Sequence, residues 1–381
     1  MFARAHLLRA HNLKRGMKMK RLALVAAIVS TMFFSFASGA FAQADLQPLA
    51  VVKLNKSESI TLKQLRTRVE LYQKQNNNQA FSVEQKKQIL ESMIDEKLII
   101  QSAQKSGLSL TETQVNKVFL QQLSMQVGRQ VSEAEFAEII KSQTNLSLDD
   151  FMKKTVGMSV AEYKTHLKNQ IIIRQYVESM YKDEIGGATA TDAEIRNFYD
   201  LNKASFVQND MAKIFLVVVP KGNDVEAARS KANKMLNDLK DKKLSYESIK
   251  ANATADKTYQ GGDLLIQKSV QHAQQLGMSA ADLNELFGKS VGFISNLTET
   301  KNDFQFYAVR QKYPAKMLSI SDVVQPDTTI TVYEYIKQNL SSQKQGEAFL
   351  AALNKFAKSL DTPENVDRKK TGDALDKLLN W

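Results

Sequence analysis

The stretch Gly261-Gly262-Asp263-Leu264, followed at fixed spacing by Phe287, Gly292 and Ser295, decides how the second half of this 381-residue chain is read. Ahead of it, the unbroken apolar run Ile214-Phe215-Leu216-Val217-Val218-Val219 reads as a buried strand, and residues 226–240 read as a helix. Beyond it, Phe304 to Arg310 reads as a closing strand. The glycine pair reads as a tight turn, because backbone at positive φ favours Gly. Asp263 reads as the residue whose side chain stabilises that turn.

From Thr61 to Lys203 the pattern is helical instead, with repeated start signals in which a Ser or Thr caps the helix and an acid or amide three residues on reaches back. Five such boxes are Ser82/Gln85, Thr111/Gln114, Ser132/Glu135, Ser159/Glu162 and Thr191/Glu194. Gly107 marks the end of the helix that carries Ile89, Met93, Ile94 and Leu98. A strand-like run, Leu49 to Leu54, precedes the helices, and Gly186-Gly187-Ala188-Thr189 breaks the helix begun near Ser159. Thr331 to Leu360 returns to one long helix with Val332, Ile336, Leu340, Phe349, Leu353 and Phe356 on its apolar side. A helix beyond an inserted α/β segment buries that side only by packing on something, and the N-terminal bundle is the candidate. The expected fold class is therefore α+β, a discontinuous all-helical domain with an inserted α/β domain. Residues 361–381 read as a polar tail, charged from Asp361 to Lys370 and ending in a short amphipathic piece at Trp381, without a functional reading.

Residues Met17 to Ala42 read as a cleavable leader. A basic start (Lys18, Lys20, Arg21) precedes an apolar run from Leu22 to Ala37 and the small-residue site Ala40-Phe41-Ala42. The run is shorter than the roughly 20 apolar residues of a membrane span. Cleavage is expected between Ala42 and Gln43, and residues 1–16 are consistent with a start codon placed too early. Removing the first 42 residues takes away seven basic and no acidic residues, so the formal charge falls from +11 to +4. That balance gives no field suited to nucleic acid. With no cysteine, a disulfide framework, a thiolate nucleophile and a lipid-anchored Cys are all excluded. Only His166 and His272 lie beyond the leader, and no nucleotide-binding, metal-binding or paired-carboxylate motif is present, so no cofactor and no metal are expected.

On these residues, Met211 to Lys312 resembles a parvulin-type prolyl isomerase domain. Leu90 to Gln101, Lys105-Ser106-Gly107-Leu108 and the Tyr163, Leu167, Gln170-Ile171-Ile172 pattern are similar to the N-terminal domain of the SurA-like chaperones. Tyr335-Ile336, Leu340 and the segment from Lys344 to Ala357 resemble the helix that closes that domain. The implied order is a leader over 1–42, a helical domain over 43–207, a parvulin-like domain over 208–315, a completing helix over 316–360 and the tail over 361–381.

The resemblance implies a buried His on each of the opening and closing strands, hydrogen-bonded to one another behind a proline pocket. Counted ten residues from Ser295 without a gap, the second position falls on Gln305, and the first falls on Ile214. Asp256 falls near the family's Cys/Asp position, and reads equally as a surface carboxylate. Met278 and Phe287 match pocket residues, although Phe287 reads equally as core, and the second aromatic position falls on Asp282. The implied function is an ATP-independent periplasmic chaperone that holds unfolded secreted or outer-membrane proteins, β-barrel precursors above all, with its parvulin-like domain inactive. The alternative is a working peptidyl-prolyl cis-trans isomerase that uses Asp256 and the remaining pocket.

Overall fold

The computed structural model describes residues 46–381 apart from Asn77 and Gly277, so the leader reading lies outside the described residues. The chain forms two compact units. One runs through Thr189 and resumes at Ser342–Trp381, and the other is Ala190–Ser341. Among the described residues, no helix is long and apolar enough to cross a membrane.

The first unit opens with β1 (Pro48–Val52) and β2 (Glu58–Thr61), followed by α1 (Leu62–Gln75), α2 (Val83–Lys105), α3 (Glu112–Val127), α4 (Glu133–Thr144), α5 (Leu148–Thr155), α6 (Val160–Met180) and α7 (Lys182–Gly186). The capping boxes on Ser82, Thr111, Ser132 and Ser159 all form, with each N-cap hydroxyl accepting from the N3 amide. Gly107 sits at φ +85° just beyond α2. There Leu108 N–H donates to Ala103 O and Gly107 N–H to Gln104 O, which satisfies two of the carbonyls a helix end leaves open. Three apolar clusters hold the unit. Leu49, Ile60, Leu65, Ile94 and Leu98 form one, and Phe119, Phe136, Leu167 and Ile172 a second. In the third, Ile99 and Val177 pack on Ala352 and Phe356 of the long helix, with the Tyr176 and Phe356 rings edge-on at 5.6 Å.

Residues 361–381 are not a tail. They form β9 (Val366–Arg368), which pairs antiparallel with β1 to give the order β2-β1-β9, and a last helix (Gly372–Leu379). Leu375 and Leu379 of that helix are buried in the same cluster as Leu49 and Ile94. Lys86, only 3% exposed, donates to the carbonyls of Leu379 (3.0 Å) and Trp381, and its Nζ lies 3.9 Å from the centre of the Trp381 ring. The amphipathic end of the segment is visible in the sequence, whereas its strand partner and its contact with Lys86 lie far away along the chain. The helical unit of the α+β fold thus also carries a small sheet.

The second unit begins with α8 (Asp192–Leu201), capped by Thr191 and Glu194, and β3 (Val207–Gln208). Then come β4 (Met211–Pro220), α9 (Val225–Lys240), α10 (Tyr246–Asp256), β5 (Gln260–Gln267), α11 (Val270–Leu276), α12 (Ala280–Gly288), β6 (Thr298–Glu299), β7 (Asp303–Tyr313) and β8 (Lys316–Met317). The antiparallel sheet has the order β5-β4-β7-β6. One face is covered by α9 and α10 through Phe215, Val217, Phe304 and Phe306, and the other by α11 and α12 through Ala212, Ile214, Leu283 and Leu286. The expected boundaries at 207 and 315 move outward. Ile195 and Tyr199 of α8 pack with Leu318, Val332 and Ile336, so the first turns of the long helix α13 (Val332–Leu360) belong to this unit and its remainder to the other.

The glycine motif is also corrected. Gly261-Gly262-Asp263-Leu264 lies inside β5, and neither glycine has positive φ. Gly261 is required by close approach: a Cβ there would stand 2.8 Å from Ile249 Cγ2 of α10 and 3.6 Å from the Phe215 ring. Asp263 lies opposite Phe215 and reaches Arg310 Nη1 at 3.5 Å rather than stabilising a turn. Gly261→Ala is expected to lower the stability of this unit by about 1–3 kcal/mol, the usual cost of overpacking. Gly262→Ala should cost less, because nothing lies within 4 Å of its missing Cβ; urea melts of the two variants compare them.

Candidate functional site

The α11/α12 face of the sheet carries a grid set by ladder register. Gln260, Val218 and Gln305 lie side by side on β5, β4 and β7, followed along the strands by Gly262, Leu216 and Tyr307, and then by Leu264, Ile214 and Val309. Met278, Phe287 and Phe293 pack against the lower two rows. The result is an apolar, partly exposed surface whose floor is Ile214, itself 3% exposed.

The segment Gly292 to Ser295 closes this face by lying along β7. Gly292 at φ +90° donates its N–H to Val309 O (2.8 Å), Val309 N–H returns to Phe293 O, and Ser295 N–H donates to Tyr307 O (2.8 Å). Ser295 Oγ accepts from Tyr307 N–H at 2.9 Å. The spacing of Phe287, Gly292 and Ser295 therefore encodes backbone docking.

Of the residues singled out in the sequence, Ile214, Met278 and Phe287 are brought together here. Ile214 and Gln305 are not. Gln305 stands opposite Val218 and Ile214 opposite Val309, an offset of four residues, or about 13 Å along a strand. Gln305 Nε2 instead donates to Asp303 Oδ1 (2.8 Å), a carboxylate that is 6% exposed and also accepts from Thr300 Oγ1 (2.6 Å). The polar side chain diagonal to Ile214 on the same face is Tyr307. The ungapped count from Ser295 lands two residues short of it. Positions two residues apart share one face of the strand, so alternation does not distinguish them.

Asp256 is absent from this face. It ends α10 on the opposite side of the sheet, where it borders a shallow cleft with Lys231, Met235 and Tyr259. Hydrogen bonds from Lys231 (2.6 Å) and from Thr258 hold its carboxyl below the usual carboxylate range. Asp282 is explained by local structure: it is the N3 residue of the Ser279 capping box that starts α12. His272 Nδ1 accepts the Gln267 N–H at 2.9 Å, and burial pushes its pKa down, so it serves as a neutral acceptor. Burial pushes the Tyr307 phenol up, which keeps its hydroxyl protonated. Among the described residues, the two rows around Ile214 thus offer apolar contact and one phenol.

Comparison with known proteins agrees with this architecture. Residues 7–177 match the model of the SurA-like N-terminal domain, and residues 190–325 that of the PPIC-type PPIase domain. The chain thus combines a SurA-like N-terminal domain with a PPIC-type PPIase domain. It is similar to the foldase protein PrsA of Clostridium acetobutylicum, 24% identical over 328 residues that cover 84% of each chain, and to that of Clostridium botulinum strain Okra, 25% identical over 312 residues covering 80% of this chain and 82% of the relative. Among solved structures, one of the two SurA-like chaperones PEB4 and Cj1289 of Campylobacter jejuni aligns with a TM-score of 0.34 at 14% identity, covering 85% of this chain and 99% of the other. PrsA of Bacillus subtilis aligns with a TM-score of 0.26 at 15% identity, covering 88% and 99%.

Proposed function

We propose that the protein is an ATP-independent chaperone of the cell envelope that holds unfolded secreted or outer-membrane proteins, and that its PPIC-type domain does not catalyse prolyl isomerisation. The observation that carries the second part is the grid around Ile214. A catalyst of amide rotation must bind the twisted amide better than the planar one, across a barrier of roughly 18–20 kcal/mol. Hydrogen bonds aimed at that amide are the means available, and Ile214 supplies none. Gln305 is tied to Asp303, and Asp256 lies behind the sheet. The single phenol of Tyr307 is the one feature that favours the alternative reading, residual isomerase activity.

The holding function is supported by the match to the SurA-like N-terminal domain and by the two-unit architecture. Periplasmic location and outer-membrane precursors as clients extend this reading from the leader-like sequence and from the SurA-like relatives. In a protease-coupled assay on Xaa-Pro peptides, the chain starting at Gln43 is expected to give no rate above background. A tenfold enhancement, equivalent to about 1.4 kcal/mol of preferential transition-state binding, would refute inactivity. The same preparation is expected to suppress aggregation of an unfolded outer-membrane β-barrel protein without nucleotide, and failure to do so would refute the holding function.

A further inference from the structure

Strand β5 is an edge strand with neighbours on one side only. Its ladder with β4 runs without a bulge from Met211↔Gln267 to Val218↔Gln260, and Lys268 N–H donates to Asp210 O at 2.8 Å one pair further on. That last bond sets the phase. Even-numbered residues of β5 bond to β4, and odd-numbered ones turn their N–H and C=O groups away from the sheet. Gln267 shows the direction, since its outward N–H donates to His272 Nδ1 and its C=O accepts from Ser269 N–H. The three odd residues before it, Gly261, Asp263 and Leu265, have no such partner among the described residues.

Natural edges of this length are normally blunted by lysine, proline or a bulge. Residues 260–267, Gln-Gly-Gly-Asp-Leu-Leu-Ile-Gln, contain none of these. Their one charge, Asp263, is turned toward Arg310 at 3.5 Å. Gly262 leaves open space beside Leu216 and Leu264, so an added strand would meet apolar side chains on that face and no obstructing Cβ.

We propose that the outer edge of β5, at Gly261, Asp263 and Leu265, binds an extended segment of an unfolded polypeptide by strand addition, with apolar residues of the segment laid toward Leu264. The ligand class follows from hydrogen-bond complementarity. Alternating donors and acceptors repeating every second residue are matched in register by another extended main chain, which gives affinity without demanding a side-chain sequence. Such tolerance suits a holder of many clients, and the inference rests on that reading for its physiological ligand.

The test uses the full chain from Gln43 and, as probe, a capped decapeptide of alternating Thr and Val flanked by lysines. Residue-resolved amide exchange is expected to slow at least tenfold at Gly261, Asp263 and Leu265 with saturating peptide. The same peptide N-methylated on two adjacent central residues, which blocks both its edges, should give no protection. Asp263→Pro removes one outward N–H without breaking a ladder bond, as proline is tolerated at such edge positions, and should weaken peptide binding at least tenfold. Should that variant not fold, the methylated peptide still decides. Protection confined to Met278, Phe287 and Tyr307 would overturn the proposal. So would protection of the three amides that rises with protein concentration in the absence of peptide, which would assign the edge to a second copy of the chain. Aggregation suppression measured in parallel separates the two claims: suppression without edge protection sinks the site alone, whereas its absence sinks the holding function and leaves the peptide result to decide the edge.

Discussion

A chain ending at Leu360 is expected to lose the cooperative fold of its helical unit. Removing Asp361–Trp381 uncovers the cluster around Leu49, Ile60 and Ile94 by taking away Val366, Leu375 and Leu379, all buried. At roughly 1.5–3 kcal/mol for each large apolar side chain, that loss alone reaches about 5 kcal/mol. It also strips β1 of a ladder partner and removes the two carbonyl acceptors and the Trp381 ring that engage Lys86. The total is comparable with the whole stability of an ordinary domain, about 5–15 kcal/mol. Circular dichroism melts should therefore show the shortened chain without the first unit's transition, accompanied by aggregation. A melting temperature within a few degrees of the complete chain would show that the segment is dispensable. Leu379→Ala, at 0% exposure, should reproduce part of the effect at about 2–4 kcal/mol.

Asp95→Asn is expected to stabilise the helical unit at neutral pH. Burial, reinforced by Glu91 and Asp361 and opposed by Arg368, pushes the Asp95 carboxyl up to about 6 from its ordinary 3.8. Arg368 is already engaged by Glu91 (2.6 Å) and Asp361 (2.7 Å). With the folded pKa raised, the folded state binds more protons than the unfolded state between about pH 4 and pH 6. Stability therefore falls as pH rises through that window, and the full cost of ionising Asp95 is present above it. A rise of that size corresponds to about 3 kcal/mol, and partial solvent access reduces this to on the order of 2 kcal/mol. Urea titrations should show the variant more stable by that amount at pH 7.5 and indistinguishable at pH 4. A variant equally or less stable at pH 7.5 would mean that the carboxylate is better solvated than its surroundings imply.

Features written in local chemistry were legible in the sequence. The capping boxes on Ser82, Thr111, Ser132, Ser159 and Thr191 each depend on two side chains three residues apart, and each formed where the spacing placed it. The turn at Gly107 and the packing of Phe349, Leu353 and Phe356 on the N-terminal helices are of the same kind, because helical period alone selects the face that must be buried. The α+β class with a discontinuous helical part followed from that periodicity and from the interposed strands.

Tertiary structure decided what depends on distant partners. Whether Gly261-Gly262 made a turn or a strand hinged on pairing with β4, and Ile249, whose methyl would stand 2.8 Å from a Cβ at Gly261, favours glycine there. The polar residue beside Ile214 hinged on the β4–β7 register, and a slip of two residues exchanges Tyr307 for Gln305 while leaving the alternation of faces intact. Asp256 went to the far side of the sheet because α10 ends there. Residues 361–381 became part of the core because β1 offered an open ladder edge, the cluster around Leu49 and Ile94 took up Leu375 and Leu379, and Lys86 donates to the carbonyls of the segment's end. Local sequence carries hydrogen bonds made within one turn of helix, whereas register, edge pairing and the hydrogen bonding of the Lys86 ammonium are settled between residues up to 295 positions apart, when the chain closes on itself.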